Sequence, residues 1–268
     1  MTELMLKLAA FLAMVIDHAA ACRLDRVFFP GFSKVYVISR AIGRMAFPIY
    51  AFCLVEGFRH SHDLRRYGGR LLLLGVISQL PYAFTLKREY LEPAFGEVFP
   101  ADPSRAFRNL NILFTLFIGL VLLVFFHKKP LARVIQSKGF AVLVFAVLLF
   151  ERYPLAHLRC NIDYGVWGIL LILCLSYAES RWSRALVVLL WGALFYSSLG
   201  MPDWGSIRGT AAAALLLLLY NGERSRKPHP KLNKAFYAAY PLHLAVIWAM
   251  VIAAKGPLTQ LKLLKYYL

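Results

Sequence analysis

Acidic residues are scarce in this chain: 14 Asp and Glu stand against 31 Lys and Arg in 268 residues, a formal charge of +17. Such a surplus is also seen in nucleic-acid-binding proteins. Here, however, the basic residues fall in short clusters between long apolar runs, as they do in cytoplasmic loops of polytopic membrane proteins, and no nucleic acid is expected as partner. Cysteine is equally sparse. The four cysteines form no CxxC pair, so the sequence offers no metal or dithiol motif, and no metal is expected. Cys22 and Cys160 fall on one side of the membrane in the topology below, which leaves a disulfide and two unpaired thiols both open. There is no Walker A string and no GxGxxG, and no Ser sits in a nucleophile-elbow context. Repeats, low-complexity tracts and a second domain are absent, so residues 1–268 read as one domain. The first apolar run carries Asp-His where a signal peptide would have small residues, so no cleaved leader is expected.

What the chain has in abundance is apolar sequence. It is 60% hydrophobic with a mean hydropathy of +0.59, far above a soluble globular domain. Apolar segments run over 4–22, 35–58, 69–86, 110–127, 139–150, 164–178, 185–199, 207–221 and 235–254. Several reach the roughly 20 residues that a spanning helix needs. The fold class expected is therefore an all-α polytopic membrane protein, a bundle of about nine transmembrane helices in the lipid bilayer. The fifth and eighth segments are the shortest, and removing either reverses everything after it.

Lys and Arg set the orientation. Arg59, Arg65, Arg66 and Arg70 follow the second segment, and Lys128, Lys129, Arg133 and Lys138 follow the fourth. Arg181 and Arg184 follow the sixth, and Arg224, Arg226, Lys227, Lys231 and Lys234 follow the eighth. These are alternate loops, so they go to the cytoplasm, with the amino terminus inside and the carboxyl terminus outside. The long connection 87–108 then faces out, its basic residues balanced by Glu89, Glu92, Glu97 and Asp102.

In that frame polar residues converge near the outer ends of separate helices. Lys7 and His18 are eleven residues apart, three helical turns, which puts both on one face of the first helix about 16 Å apart along its axis. Asp17 adjoins His18 but points about 100° away from it, which suits a contact with another helix or with His243 better than a dyad with His18. Arg40 and Arg44 share a face of the second helix at i and i+4. Gln79 and Tyr82 lie near the outer end of the third. Asn109 and Asn111 open the fourth, Asp163 opens the sixth, and Tyr240 and His243 lie in the ninth. Ionisable groups in lipid cost several kcal/mol unless they face a cavity or a partner, so a shared wet chamber is the economical arrangement. Each residue also has a plainer use: Lys7 and Arg40 can snorkel to an interface, Asp17 with His18 can be a helix-end cluster, and Asp163, Asn109 and Asn111 can cap helices. His243 can be a bonded imidazole at a proline kink.

Several strings in this order resemble the TraX family. They are Leu8 to His18 with its terminal Asp-His, then Ile42-Gly43-Arg44-Met45-Ala46-Phe47-Pro48-Ile49-Tyr50-Ala51-Phe52, and Glu56-Gly57-Phe58. Further along come Asn109-Leu110-Asn111 with Thr115, Asp163-Tyr164-Gly165 with Gly168, and Phe236-Tyr237 followed by Tyr240-Pro241-Leu242-His243-Leu244. The resemblance covers nearly the whole chain. That family is distantly similar to the acyltransferase-3 membrane enzymes, whose first helix carries a basic residue, ten arbitrary residues and a His, a spacing that Lys7 and His18 match.

The resemblance implies an inner-membrane acetyltransferase that passes an acetyl group from cytoplasmic acetyl-CoA, as co-substrate, to an acceptor at the outer face. For the best-known family member that acceptor is the N-terminal amine of a pilin. The residue chemistry is compatible: a histidine near neutral pKa suits a general base. His18 is the leading candidate, with Asp17, Arg44 and His243 beside it. Arg40 or Arg44 suits cofactor phosphates or an oxyanion, Lys7 the nucleotide end, and Asn109, Asn111, Asp163 and Tyr240 the acceptor. Three other readings stay open: an O-acetyltransferase acting on a surface glycan or lipid, a proton- or anion-coupled transporter, and a non-catalytic scaffold for assembly.

Overall fold

A computed structural model describes residues 1–88, 103–127, 161–198, 204–222 and 230–255. The segment 139–150, the basic stretches 128–138 and 223–229, residues 89–102 of the connection expected to face out, and Cys160 lie outside the described residues.

The elements are α1 (Glu3–Ala21), α2 (Asp25–Phe28), α3 (Ser33–Gly43), α4 (Ala46–His60), α5 (Leu64–Leu86), α6 (Pro103–Arg108), β1 (Asn109–Leu110), α7 (Ile112–His127), β2 (Asn161–Ile162), α8 (Gly165–Tyr177), α9 (Arg181–Ser198), α10 (Trp204–Leu218) and α11 (Pro230–Lys255). Among the described residues, four stretches are long and apolar enough to cross a membrane: Glu3–Ala21, Lys34–His60, Leu64–Leu86 and Ala235–Ala254. Shorter apolar helices occupy Ile112–His127, Gly165–Tyr177 and Trp204–Leu218. The all-α expectation is modified by one short parallel pairing, Asn109 with Asn161 and Leu110 with Ile162, which ties the entrance of α7 to that of α8.

Local sequence explains the helix limits. Thr2 caps α1 through its side chain, which accepts from the Met5 amide, and Glu3 follows in the first turn. Asp63 caps α5 by accepting from the Arg66 amide at 2.8 Å. The segment 35–58, read above as one helix, is two. The chain breaks at Arg44 and Met45 because Pro48 has no N–H for the Arg44 carbonyl four residues earlier, and its ring crowds that carbonyl. Arg44 therefore sits in a bend and not on the straight helix face that its i, i+4 spacing to Arg40 implied.

The helices close on themselves. Going round, α1 packs on α3, α3 on α10, α10 on α9, α9 on α8, α8 on α7, α7 on α5, α5 on α11, and α11 on α1. Within this ring stands α4, packed against α1, α7, α8 and α10. Its residues are buried on every side from Phe47 to Glu56, apart from the partly covered Tyr50, which suits a sequence apolar round the whole helix up to Glu56. The outside of the ring is apolar instead. Leu8, Leu12 and Ile16 expose one stripe of α1, and Leu186, Leu190 and Leu194 one stripe of α9. A surface of this kind suits lipid rather than water.

Two close approaches set the geometry beneath the bend. Gly43 lies against the Asp17 side chain, and any Cβ there would collide with it. Gly209 lies against the Ala41 carbonyl, so α10 reaches the α3 backbone only because that position lacks a side chain.

Candidate active site

The bundle holds two polar layers, one at each end of α1. The first is built round His18. Its Nδ1 lies 2.8 Å from Nε2 of His243, across 225 residues of sequence. The two rings are 20° from coplanar with centres 5.0 Å apart, so they meet edge to edge. His243 is held in turn by the Ala239 carbonyl, which accepts from its Nδ1 at 3.0 Å. Tyr240 and Phe11 pack edge-on against the same ring at 5.4 and 6.0 Å.

Asp17 turns away from His18, as helical geometry requires, and pairs with Arg40 at 2.8 Å. Arg44, in the bend between α3 and α4, lies within electrostatic reach of the Tyr164 hydroxyl. Tyr196 of α9 lies beside that hydroxyl, and Asp17 and Asp163 are within electrostatic reach of the guanidinium. The Nε of Arg44 is buried and meets no hydrogen-bond partner among the described residues. Tyr164 is presented by an unusual backbone: it caps α8 in the left-handed region at φ 60°. Its ring stacks on Phe47 of α4 at 4.1 Å. Asp163, for which capping is the plainer alternative, stands one residue outside the cap of α8, and its carbonyl accepts from Thr115 Oγ1 at 2.5 Å.

Four of the residues expected at the site therefore meet here with His18: Asp17, Arg40, Arg44 and His243. Asp163 and Tyr240 border the same layer. Asn109 and Asn111 are placed differently. Asn111 donates from Nδ2 to the Gly75 carbonyl at 2.8 Å and to Gln79 Oε1 at 2.9 Å, and its Oδ1 accepts from the Leu113 amide. All its capacity goes into joining α5 to the start of α7. Asn109 lies in the short parallel pairing, its carbonyl accepting from Gln79 at 2.8 Å. Cys22 points its thiol at the Thr85 carbonyl, 3.3 Å away.

Lys7 belongs to the other layer, about 16 Å down the same helix. It pairs with Glu3 at 2.6 Å. Nearby, Glu56 receives Arg59 at 3.1 Å and Arg184 at 3.8 Å. Arg59 also donates to the Ser176 carbonyl at 2.9 Å, and Arg184 to that of Ala178 at 3.2 Å. Lys7 and Arg40, both candidates for holding a nucleotide, thus sit at opposite ends of α1. Sequence reading missed Glu56 as the centre of this layer, although a carboxylate inside an apolar helix is itself a signal. It also missed Tyr164 and Tyr196, whose proximity to Arg44 is purely tertiary.

The TraX protein family model matches residues 3–251. A protein of Dichelobacter nodosus described as "Probable fimbrial assembly protein FimC, serogroup H1" is 30% identical over 254 residues, covering 90% of this chain and 92% of that protein. No solved structure matches the chain. A family match over nearly its whole length, joined to a relative that is collinear with it, means that the chain belongs to the TraX family.

Proposed function

We propose that this protein is an integral acetyltransferase of the bacterial inner membrane, moving an acetyl group from cytoplasmic acetyl-CoA to the N-terminal amine of a pilin subunit at the outer face. The observation that carries the reading is the joining of His18, His243, Arg44 and Tyr164, contributed by distant parts of the chain, in one layer of an apolar bundle. The fimbrial name of the Dichelobacter relative supports a pilus-related acceptor. In this reading the bundle has about nine spans with its amino terminus in the cytoplasm. Arg59, Arg184 and Lys7 then mark the cytoplasmic end and the His18 layer the outer half. The donor enters past Lys7 and extends its thioester toward His18, while the acceptor arrives from the opposite side.

The chemistry asks little beyond these groups. A neutral amine attacks the thioester carbonyl carbon; the C–N bond forms and the carbonyl pair moves onto oxygen. Arg44 and the Tyr164 hydroxyl stabilise that oxyanion. His18 takes the proton released by the nitrogen and returns it to the sulfur when the C–S bond breaks, leaving an amide and a free thiol. No covalent enzyme intermediate is needed, because the thioester is already activated.

The test uses purified protein in nanodiscs with acetyl-CoA and a pilin subunit, read by intact-mass spectrometry. A gain of one acetyl group on the pilin amino terminus is expected, only with donor present. Modification of a glycan or lipid hydroxyl instead would overturn the acceptor, and donor-independent substrate accumulation in sealed vesicles would replace the enzyme with a transporter.

A further inference from the structure

We infer that His243 is a positioning residue that fixes the tautomer of His18, leaving Nε2 of His18 as the atom that receives the proton. The inference rests on the acetyl-transfer reading for its function but on geometry for its content. A carbonyl oxygen can only accept, so the 3.0 Å contact with Ala239 places a hydrogen on Nδ1 of His243. A neutral imidazole has one N–H, and Nε2 of His243 is therefore a bare acceptor. The nitrogen facing it at 2.8 Å is Nδ1 of His18, which must then be the donor. With its hydrogen on Nδ1, neutral His18 keeps its lone pair on Nε2. That nitrogen has no hydrogen-bond partner among the described residues and is not among the sealed, unpartnered buried atoms.

The chain carbonyl–His243–His18 works in the same sense as a carboxylate behind a catalytic histidine, with a neutral ring replacing the charged partner. Asp17, the adjacent carboxylate, does not take this role because Arg40 holds it on another face. When Nε2 of His18 gains the amine proton, the Nδ1 proton can shift across the 2.8 Å contact to His243, and it returns when the thiolate is protonated. No net proton is gained or lost by the pair over a turnover. Pro241, two residues before His243, lies within α11. It withholds an N–H from the carbonyl of Tyr237, a local irregularity beside the turn that grips the ring.

Two measurements test this. The first is nitrogen NMR of wild-type protein labelled with ¹⁵N-histidine in nanodiscs, with His18 assigned by its disappearance in His18→Gln. The expected spectrum has Nδ1 of His18 protonated and Nε2 bare; a hydrogen on Nε2 overturns the inference, whatever the activity. The second compares His243→Gln, whose amide oxygen can stand where Nε2 accepted, with His243→Phe, which keeps the ring but offers no acceptor. His243→Gln is expected to lose less than tenfold in kcat. His243→Phe is expected to lose about 10²-fold, short of the loss on removing His18 itself, because the base remains but is left in the wrong tautomer, with KM little changed. Equal activity of the two variants overturns the positioning role. The expected spectrum in a wild-type protein that acetylates nothing would uphold the tautomer and reject the acetyl-transfer reading instead.

Discussion

The two polar layers are made of similar residues and are finished in opposite ways. In the Glu56 layer the charged groups are answered: the carboxylate meets two arginines, each arginine also meets a helix-end carbonyl, and Lys7 has Glu3, which leaves the nearby Tyr220 hydroxyl as the buried group without a partner among the described residues. In the His18 layer the pairing stops short. Asp17 and Arg40 form an ion pair, yet Asp17 Oδ1 and Arg44 Nε are buried with no hydrogen-bond partner among the described residues, and Nε2 of His18 has none among them either. Buried polar groups are normally paired, so unfinished valences cost stability unless something else uses them. On the acetyl-transfer reading, the difference separates a layer that ties helices together from one that keeps capacity for a reacting partner.

The largest effect expected is for His18→Ala. It removes the proton acceptor, and acetyl transfer should fall by about 10³-fold while the protein elutes and melts in detergent as before. A variant with full activity would take the base out of the mechanism and leave the layer structural. Arg44→Lys should follow, with kcat about 10²-fold lower and KM within a few-fold. A lysine keeps the charge but loses the planar fork that can hold the Tyr164 hydroxyl and an oxyanion together. A rise in KM with kcat intact would reassign Arg44 from the transition state to donor binding.

The lower layer predicts the reverse pattern. Glu56→Gln leaves Arg59 and Arg184 without their carboxylate. A fully buried pair broken this way costs 3–5 kcal/mol. The arginine side chains are 28% and 15% exposed, which lowers the expectation to about 2 kcal/mol. A lower melting temperature with activity per folded molecule within threefold is the expected result. Lost acetylation at unchanged stability would make this layer part of the reaction path and erase the contrast.

Much of this architecture is legible in the residues. Each apolar segment that falls within the described residues is helical, 35–58 as two helices and not one, because runs such as Ile112–Phe126 can satisfy their backbone in lipid only that way. The gathering of Asp17, His18, Arg40, Arg44 and His243 was also readable, since ionisable groups in separate apolar runs have few places to go. The ring round α4 was not, because hydropathy does not distinguish a helix wrapped by protein from one facing lipid. The His18–His243 bond joins residues too far apart for any spacing rule. Nor does any spacing rule show that the Asn111 side chain bonds Gly75, Gln79 and Leu113 and so joins α5 to the start of α7. Arg184 was read as a topology signal alone, although it also closes on Glu56.

The bend at Arg44 gives the smallest and most discriminating prediction. Pro48 was visible in the sequence, but a window that averages hydropathy over 35–58 passes straight across it. With Pro48→Ala the amide at 48 can bond the Arg44 carbonyl, and α3 and α4 can run on as one helix. That path carries the Arg44 Cα off the bend and draws its guanidinium from Tyr164, while Gly43 loses its seat against Asp17. A misplacement of about 1 Å is enough to slow a positioned reaction, so kcat should fall about tenfold. Stability should hold or rise, since a backbone hydrogen bond is gained. If Pro48→Ala instead melts lower and turns over normally, the proline serves only packing at the centre of the ring. A slower but sturdier enzyme would mean that the bend is kept, at some cost to α3 and α4, in order to aim Arg44 into the unfinished layer.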